Sequence, residues 1–270
     1  MACVLIDGRD VPIVYTGIRP GEKVHEIMVS EEECYRTIER DGYYVICPIL
    51  PELRQVSIAQ PALIGEYSSA DVTLDQDGLR VFKGIPYAEP PVGDLRLRAP
   101  VPVKPWQETL KANAFGPACP QLLTINETSE DCLTLNVWAH RNDRVHPVMV
   151  WIYGGGFLTG DASLPLYDGA DLATDGDAVI VSLNYRLGLL ASLAIPELTA
   201  EDPRGATGNM GLLDQIEALQ WIKLNAPAFG GHPENITVFG ESAGAISVCA
   251  LIGAPLADDL FHKAIIQSGN

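Results

Sequence analysis

Ser242 is the residue of this chain whose setting most favours covalent chemistry. It lies in Gly240-Glu241-Ser242-Ala243-Gly244, between an apolar run ending at Phe239 and a helix-like stretch from Ile246 to Ile252. In a strand-to-helix turn the small flanking residues let the backbone bend sharply, so the serine hydroxyl protrudes at the helix amino terminus. From there it can attack a carbonyl carbon, and the helix end favours the negative charge that develops on the carbonyl oxygen. Such an oxyanion needs two or three converging backbone donors. Gly154-Gly155-Gly156-Phe157 follows a buried-strand pattern and offers amides with no side chains to block approach. Together with the Ala243 amide, directly after the nucleophile, these form the expected anion hole.

Positioning these groups requires strands and helices in a particular order. Val72–Leu74 and Leu79–Lys83 flank Asp77-Gly78 and read as a small hairpin. Leu133–Trp138 alternates like a half-buried strand, whereas Val148–Tyr153 is apolar throughout, like a strand covered on both faces. The Pro-containing turn between these two predicts that they are antiparallel neighbours. Ala178–Leu183 and Ile236–Phe239 are further short strands. Between them Leu212, Ile216, Leu219 and Ile222 recur at helical spacing, with Asp214 and Glu217 near the front of the helix, where its dipole favours anions. A last apolar run begins at Ala264. Strands alternating with helices predict a mostly parallel sheet with helices on both faces, an α/β fold.

Several of these segments, taken in order, resemble the type B carboxylesterase and cholinesterase family. They are Phe82–Gly93, Ser129–Leu133, Val150–Phe157, Ser182–Arg186, Gly208–Gln215 and Phe239–Gly244. The resemblance runs from about Val81 to Gly269. It implies an α/β-hydrolase fold, incomplete at its carboxyl end, and hydrolysis of carboxylic esters through an acyl-serine intermediate. By the family's motifs Ser242 is the nucleophile, and Gly155, Gly156 and Ala243 are the oxyanion donors. Glu241 is implied to be a buried carboxylate supporting the site, and Cys119 and Cys132 match two cysteines that many members join in a disulfide. Neither cofactor nor metal is implied, and the substrate is a small-molecule carboxylic ester.

The triad order in this fold is Ser, then an acid, then His, and the chain runs only 28 residues past Ser242. None of the other histidines is a fitting substitute. His232 precedes the strand that ends at Ser242, so at about 3.3 Å per residue it lies well over 15 Å away, as a surface loop residue. His262 begins the next parallel strand, and His140 and His146 lie in the turn that feeds the glycine-bearing strand, all at the wrong edge. The expectation is therefore a nucleophile and an anion hole without a general base, and weak activity as this chain. A catalytically silent cholinesterase-like interaction module is the alternative. The strand opening at Ala264 would be left with an unpaired edge, which favours self-association.

Composition narrows the remaining classes. Eighteen Lys and Arg against 35 Asp and Glu give a net charge of −17, which opposes binding to nucleic acid or anionic lipid. No apolar run reaches the length of a membrane span. The amino terminus carries no export pattern, which predicts a cytoplasmic protein. The six dispersed cysteines do not form zinc-binding pairs.

The first residues differ from the rest. Glu31–Arg40 is dense in charge, like a solvated helix, and Tyr43–Ile49 is a short apolar stretch. With Thr16–Lys23, Val24-His25-Glu26 and Val29–Glu32, this segment resembles the carboxyl-terminal tail of nucleotide-sugar dehydratases and epimerases, but it lacks the glycine-rich dinucleotide turn. The organisation expected is a dehydratase-like α+β segment over 1–54, a junction over 55–70, and the amino-terminal part of a carboxylesterase domain over 71–270.

Overall fold

Strand pairing in the computed structural model, which describes residues 37–40, 43–46, 73–74, 79–106, 110–124, 126–205 and 207–269, separates two units, Met1–Pro61 and Ala62–Asn270. In the first, β1 (Thr37–Arg40) pairs antiparallel with β2 (Tyr43–Ile46), Arg40 lying opposite Tyr43. The helix expected up to Arg40 is thus a strand over its last four residues; 31–36 lie outside the described residues. Charge density misled here. The sequence Asp41-Gly42 between the two strands is a preferred two-residue hairpin connection, and Thr37, Ile38 and Val45 are β-branched.

The second unit is built on a seven-stranded mixed sheet. Its strands are β3 (Thr73–Leu74), β4 (Arg80–Pro86), β5 (Thr134–Ala139), β6 (His146–Ile152), β7 (Val179–Leu183), β8 (Gly231–Glu241) and β9 (Lys263–Gln267), in the order β3-β4-β5-β7-β6-β8-β9. Pairing is antiparallel from β3 through β7 and parallel from β7 to β9. β3 and β4 pair antiparallel as the sequence predicts, while Asp77-Gly78 lies outside the described residues.

The expected neighbour relation of β5 and β6 fails, because β7 lies between them. With its Val179-Ile180-Val181 run buried on both faces, β7 gains most from the middle of the sheet. Nor is β5 half-buried: all six of its residues are buried. Its polar positions are satisfied internally, the Asn136 amide donating to Ser182 Oγ at 3.1 Å and its carbonyl accepting from the Gly84 amide at 2.9 Å. Alternation in that segment marks two buried faces, one of them hydrogen-bonded.

The α-helices among the described residues are α1 (Ala170–Gly176), α2 (Gly188–Ser192), α3 (Pro196–Glu201), α4 (Met210–Asn225) and α5 (Ala243–Ile252). Side-chain alternation along the strands sorts the core between them. Leu135, Val137, Val148, Val150, Val181 and Leu183 face a core shared with Leu219 and Ile222 of α4 and Val248 and Leu251 of α5. Trp138 and Ile180 point the other way, to Ala173 of α1. Cys119 and Cys132, both buried, are joined in a disulfide. Closing a loop of this length restricts the unfolded chain and contributes about 3 kcal/mol. No described helix is long and apolar enough to cross a membrane.

Candidate active site

β6 and β8 run side by side and parallel, so the residues leaving their carboxyl ends must meet. Ile152 pairs with Gly240; one chain continues into Gly154-Gly155-Gly156, the other into Ser242 and α5. Ser242 has φ 54° and ψ −121°, a strained conformation for a non-glycine residue of the kind concentrated at functional turns. Two bonds hold it there: its amide donates to the Gln267 carbonyl at 2.9 Å, and its carbonyl accepts from the Ile246 amide at 3.0 Å. Its hydroxyl is not spent on capping α5.

The glycines around it allow close backbone approach. A Cβ on Gly240 would lie 2.6 Å from the Gly244 carbonyl carbon, and one on Gly244 would overlap the Ile152 carbonyl and sit 2.9 Å from the Tyr153 oxygen. A Cβ on Gly154 would come within 3.1 Å of the Ser242 Cβ, so the glycine turn and the Ser242 turn are packed together. Gly155 has φ +109°, open to glycine alone, and its carbonyl accepts from the amides of Leu158 and Thr159, both at 3.1 Å. Among the described residues no partner takes the amides of Gly155 or Gly156, and both residues are exposed. Ala243, in the first turn of α5, has no intrahelical acceptor for its amide. Glu241 departs from expectation. It lies beside Gly154, but it is exposed rather than buried, because strand alternation turns Gly240 inward and Glu241 outward.

A second layer holds this arrangement. The Tyr153 and Tyr185 rings stack at 4.5 Å, and the two exchange bonds, Tyr153 Oη donating to the Tyr185 carbonyl at 3.2 Å and Tyr185 Oη to the Tyr153 carbonyl at 2.8 Å. Burial raises the pKa of both phenols, so they stay protonated donors. The Gln121 amide clamps the disulfide loop to the segment that follows the glycine turn, donating to the Gly160 carbonyl at 2.7 Å and accepting from its amide at 2.9 Å. Next to Tyr185, Arg186 forks onto Asp214, Nε to Oδ2 at 2.8 Å and Nη2 to Oδ1 at 2.6 Å, with the Arg186 amide adding a third bond at 3.1 Å. Asp214 is fully buried, not a surface anion steadied by the helix dipole. Burial raises its pKa, against the pull of the Arg186 hydrogen bonds and charge. Its place among apolar neighbours, Leu213 and Ile216, is the signal that could have flagged it; Gln121 carries no such signal.

With this geometry in place, the comparison with known proteins is direct. A family model described as the carboxylesterase family matches residues 53–270. The chain belongs to this family. It is 48% identical over 203 residues to the para-nitrobenzyl esterase of Bacillus subtilis (strain 168), covering 72% of this chain and 41% of that protein. It is 47% identical over 203 residues to the acetylcholinesterase of Bungarus fasciatus, covering 70% of this chain and 33% of that one. A solved PNB esterase structure superposes with a TM-score of 0.70 at 46% identity, over 75% of this chain and 43% of that chain, which confirms the α/β-hydrolase fold. The chain thus spans about two fifths of the length of the para-nitrobenzyl esterase. A second family model, described as a polysaccharide biosynthesis protein, matches residues 2–48.

Four of the chain's five histidines are described, and all four lie at the sheet edge opposite Ser242. His140 follows β5, His146 opens β6, His232 is the second residue of β8 and His262 precedes β9. His232 is a strand residue rather than the loop residue expected, since β8 begins at Gly231, opposite His146. His25 lies outside the described residues.

Glu217, half-buried on α4, has its carboxyl pushed up to about 7 by burial and then by the negative charge of Asp214. The folded state therefore binds this proton more tightly than the unfolded chain. The resulting loss of stability sets in as pH rises from about 4.5, where the unfolded group ionises, and is complete above about 7. Glu217→Gln is expected to melt higher than the parent at pH 8 and close to it at pH 4, as measured by thermal unfolding across that range.

Proposed function

We propose that this chain hydrolyses carboxylic esters through an acyl-serine intermediate. Ser242 attacks the ester carbonyl; the amides of Gly155, Gly156 and Ala243 hold the tetrahedral oxyanion; the alcohol leaves, and water releases the acid from Ser242. The observation that carries this reading is the strained Ser242 turn, its hydroxyl uncommitted and its Cβ packed beside Gly154. The relatives named as esterases support it. No described histidine stands at Ser242, so turnover by this chain is weak and rests on the anion hole and substrate binding, the part of serine-hydrolase catalysis that survives loss of a triad member.

The substrate is a small carboxylic ester, with no call for a cofactor or for nucleic acid. We read residues 1–54 as a separate segment joined through 55–70 to the esterase portion at 71–270. Among the described residues β9 is the last strand in the sheet order, and in this reading its outer side pairs with a second copy of the chain; light scattering after size exclusion is expected to show oligomers, and a stable monomer would oppose this. Cytoplasmic location belongs to the same reading. One fact stands against it, the Cys119–Cys132 disulfide, since such bonds persist mainly in oxidising compartments.

The test is covalent. Incubating the full chain with a fluorophosphonate probe and mapping the adduct by peptide mass should place one label on Ser242. A label elsewhere would overturn the assignment, and no label at all would leave the silent interaction module as the reading.

A further inference from the structure

At the sheet edge opposite Ser242, three elements bring metal-ligating side chains together. His140 directly follows β5, His146 opens β6, and Asp177, in a left-handed conformation, caps α1 just before β7. One ligand atom from each lies within 4.8 Å of the others. We propose that His140, His146 and Asp177 bind one borderline divalent metal ion of the zinc class.

The hydrogen bonds around the two imidazoles favour this reading. His146 Nε2 lies 2.8 Å from Asn142 Oδ1, an oxygen that also accepts from the Arg144 amide at 3.0 Å. The Asn142 orientation is thereby settled, and Nε2 must carry a hydrogen. His140 Nε2 faces the Ala173 carbonyl at 3.0 Å and must carry one as well. A ligating histidine is commonly held in this way, its remote nitrogen donating to an oxygen and its other nitrogen bound to metal. His146 Nδ1 is already 3.1 Å from Asp177 Oδ1, close to the separation of about 3.3 Å for two ligands of one tetrahedral zinc with bonds of about 2.0–2.1 Å. The same Nδ1 lies 3.0 Å from the Asp177 backbone carbonyl, a contact that the ion would replace.

His140 stands next to this pair, and its ring must turn out of the stack to ligate. Its ring stacks on His146 with centroids 4.2 Å apart, and its Nδ1 makes no protein bond among the described residues. Arg144 binds Asp177 through Oδ2, which leaves Oδ1 to the ion, and the arginine is largely exposed and free to swing away. The His140 Nδ1 lone pair thus stands open beside the His146–Asp177 contact, as a third ligand would. Two imidazoles and one carboxylate select zinc, nickel, cobalt or copper over magnesium or calcium, and water fills the fourth position.

The ion would tie the end of β5, the start of β6 and the α1–β7 turn. β6 is seven residues long, so at about 3.3 Å each the site lies roughly 20 Å from the glycine turn. Its role is structural, and the proposal is independent of the ester chemistry.

Isothermal titration of the chelator-stripped full chain with zinc chloride tests this, together with thermal unfolding and the visible absorption of the cobalt(II) form. One ion per chain is expected, with a raised Tm and a tetrahedral cobalt spectrum. His140→Ala and Asp177→Asn should each weaken binding by more than about 100-fold, and Asn142→Ala by about 10-fold through its outer hydrogen bond. The metal-free Tm of each variant confirms that it folds, and the Asn142→Ala variant keeps all three ligands should either of the others fail. His262→Ala should leave binding unchanged, since that residue pairs with Glu234 instead. Absence of binding, binding that survives His140→Ala in a folded chain, or binding lost in His262→Ala would each overturn the proposal.

Discussion

Gly244→Ala is expected to abolish fluorophosphonate labelling and to destabilise the esterase unit by about 3 kcal/mol or more, the upper end of overpacking costs. The added methyl group would press against the Ile152 carbonyl, with the Tyr153 oxygen 2.9 Å away. Both are backbone atoms at the end of β6, fixed by the parallel ladder to β8. Neither can yield as a side chain tip would, so α5 must shift away from the sheet and carry Ser242 with it. A displacement of about 1 Å is enough to lower reactivity about 100-fold. Gly253→Ala is the matched control: it lies at the other end of α5, its φ is −90°, and the nearest atom to a new Cβ is the Ala250 carbonyl oxygen at 3.8 Å. Denaturant unfolding and the labelling rate of both variants measure the contrast. Labelling of the Gly244 variant at the parent rate would show that the turn does not need this close approach.

The second large effect concerns a charge. Asp214→Asn keeps the shape of the side chain but removes the carboxylate that faces Arg186, whose guanidinium is only 2% exposed. An unpaired buried cation costs about 3–5 kcal/mol, and the loss should appear as a lower urea midpoint with an unchanged slope. The loop carrying Tyr185 loosens with it, because Arg186 also donates to the Arg98 carbonyl at 2.8 Å and ties that loop to a distant segment. The double change Asp214→Leu with Arg186→Met should recover much of what Asp214→Leu loses, since replacing both members of a buried pair by apolar groups is often nearly neutral. If the single and double variants unfold alike, the pair is not the source of the stability.

Much of the candidate site was legible because its signals are local. Gly240, Ser242 and Gly244 sit within one turn, and their need for small residues follows from the sharp reversal between an apolar strand and a helix. The histidines could be placed at the far edge from strand direction alone, and all four described ones lie there. Glu241 was misjudged for the opposite reason. Whether a residue next to a nucleophile is covered depends on what packs over it, and strand alternation turns this one outward. Asp214 carried a hint, a carboxylate among apolar neighbours, but its partner Arg186 is 28 residues away.

By itself the sequence determined the family, the order of the strands along the second unit and the carboxyl edge at which Ser242 and the glycine turn stand. All of these follow from short patterns whose physics is complete within a few residues. Only the tertiary structure decided that β7 separates β5 from β6, that Gln121 joins the disulfide loop to Gly160, and that His140, His146 and Asp177 lie close together. Those outcomes come from competition among distant segments for buried area and hydrogen-bond partners, and no single stretch of sequence contains that sum.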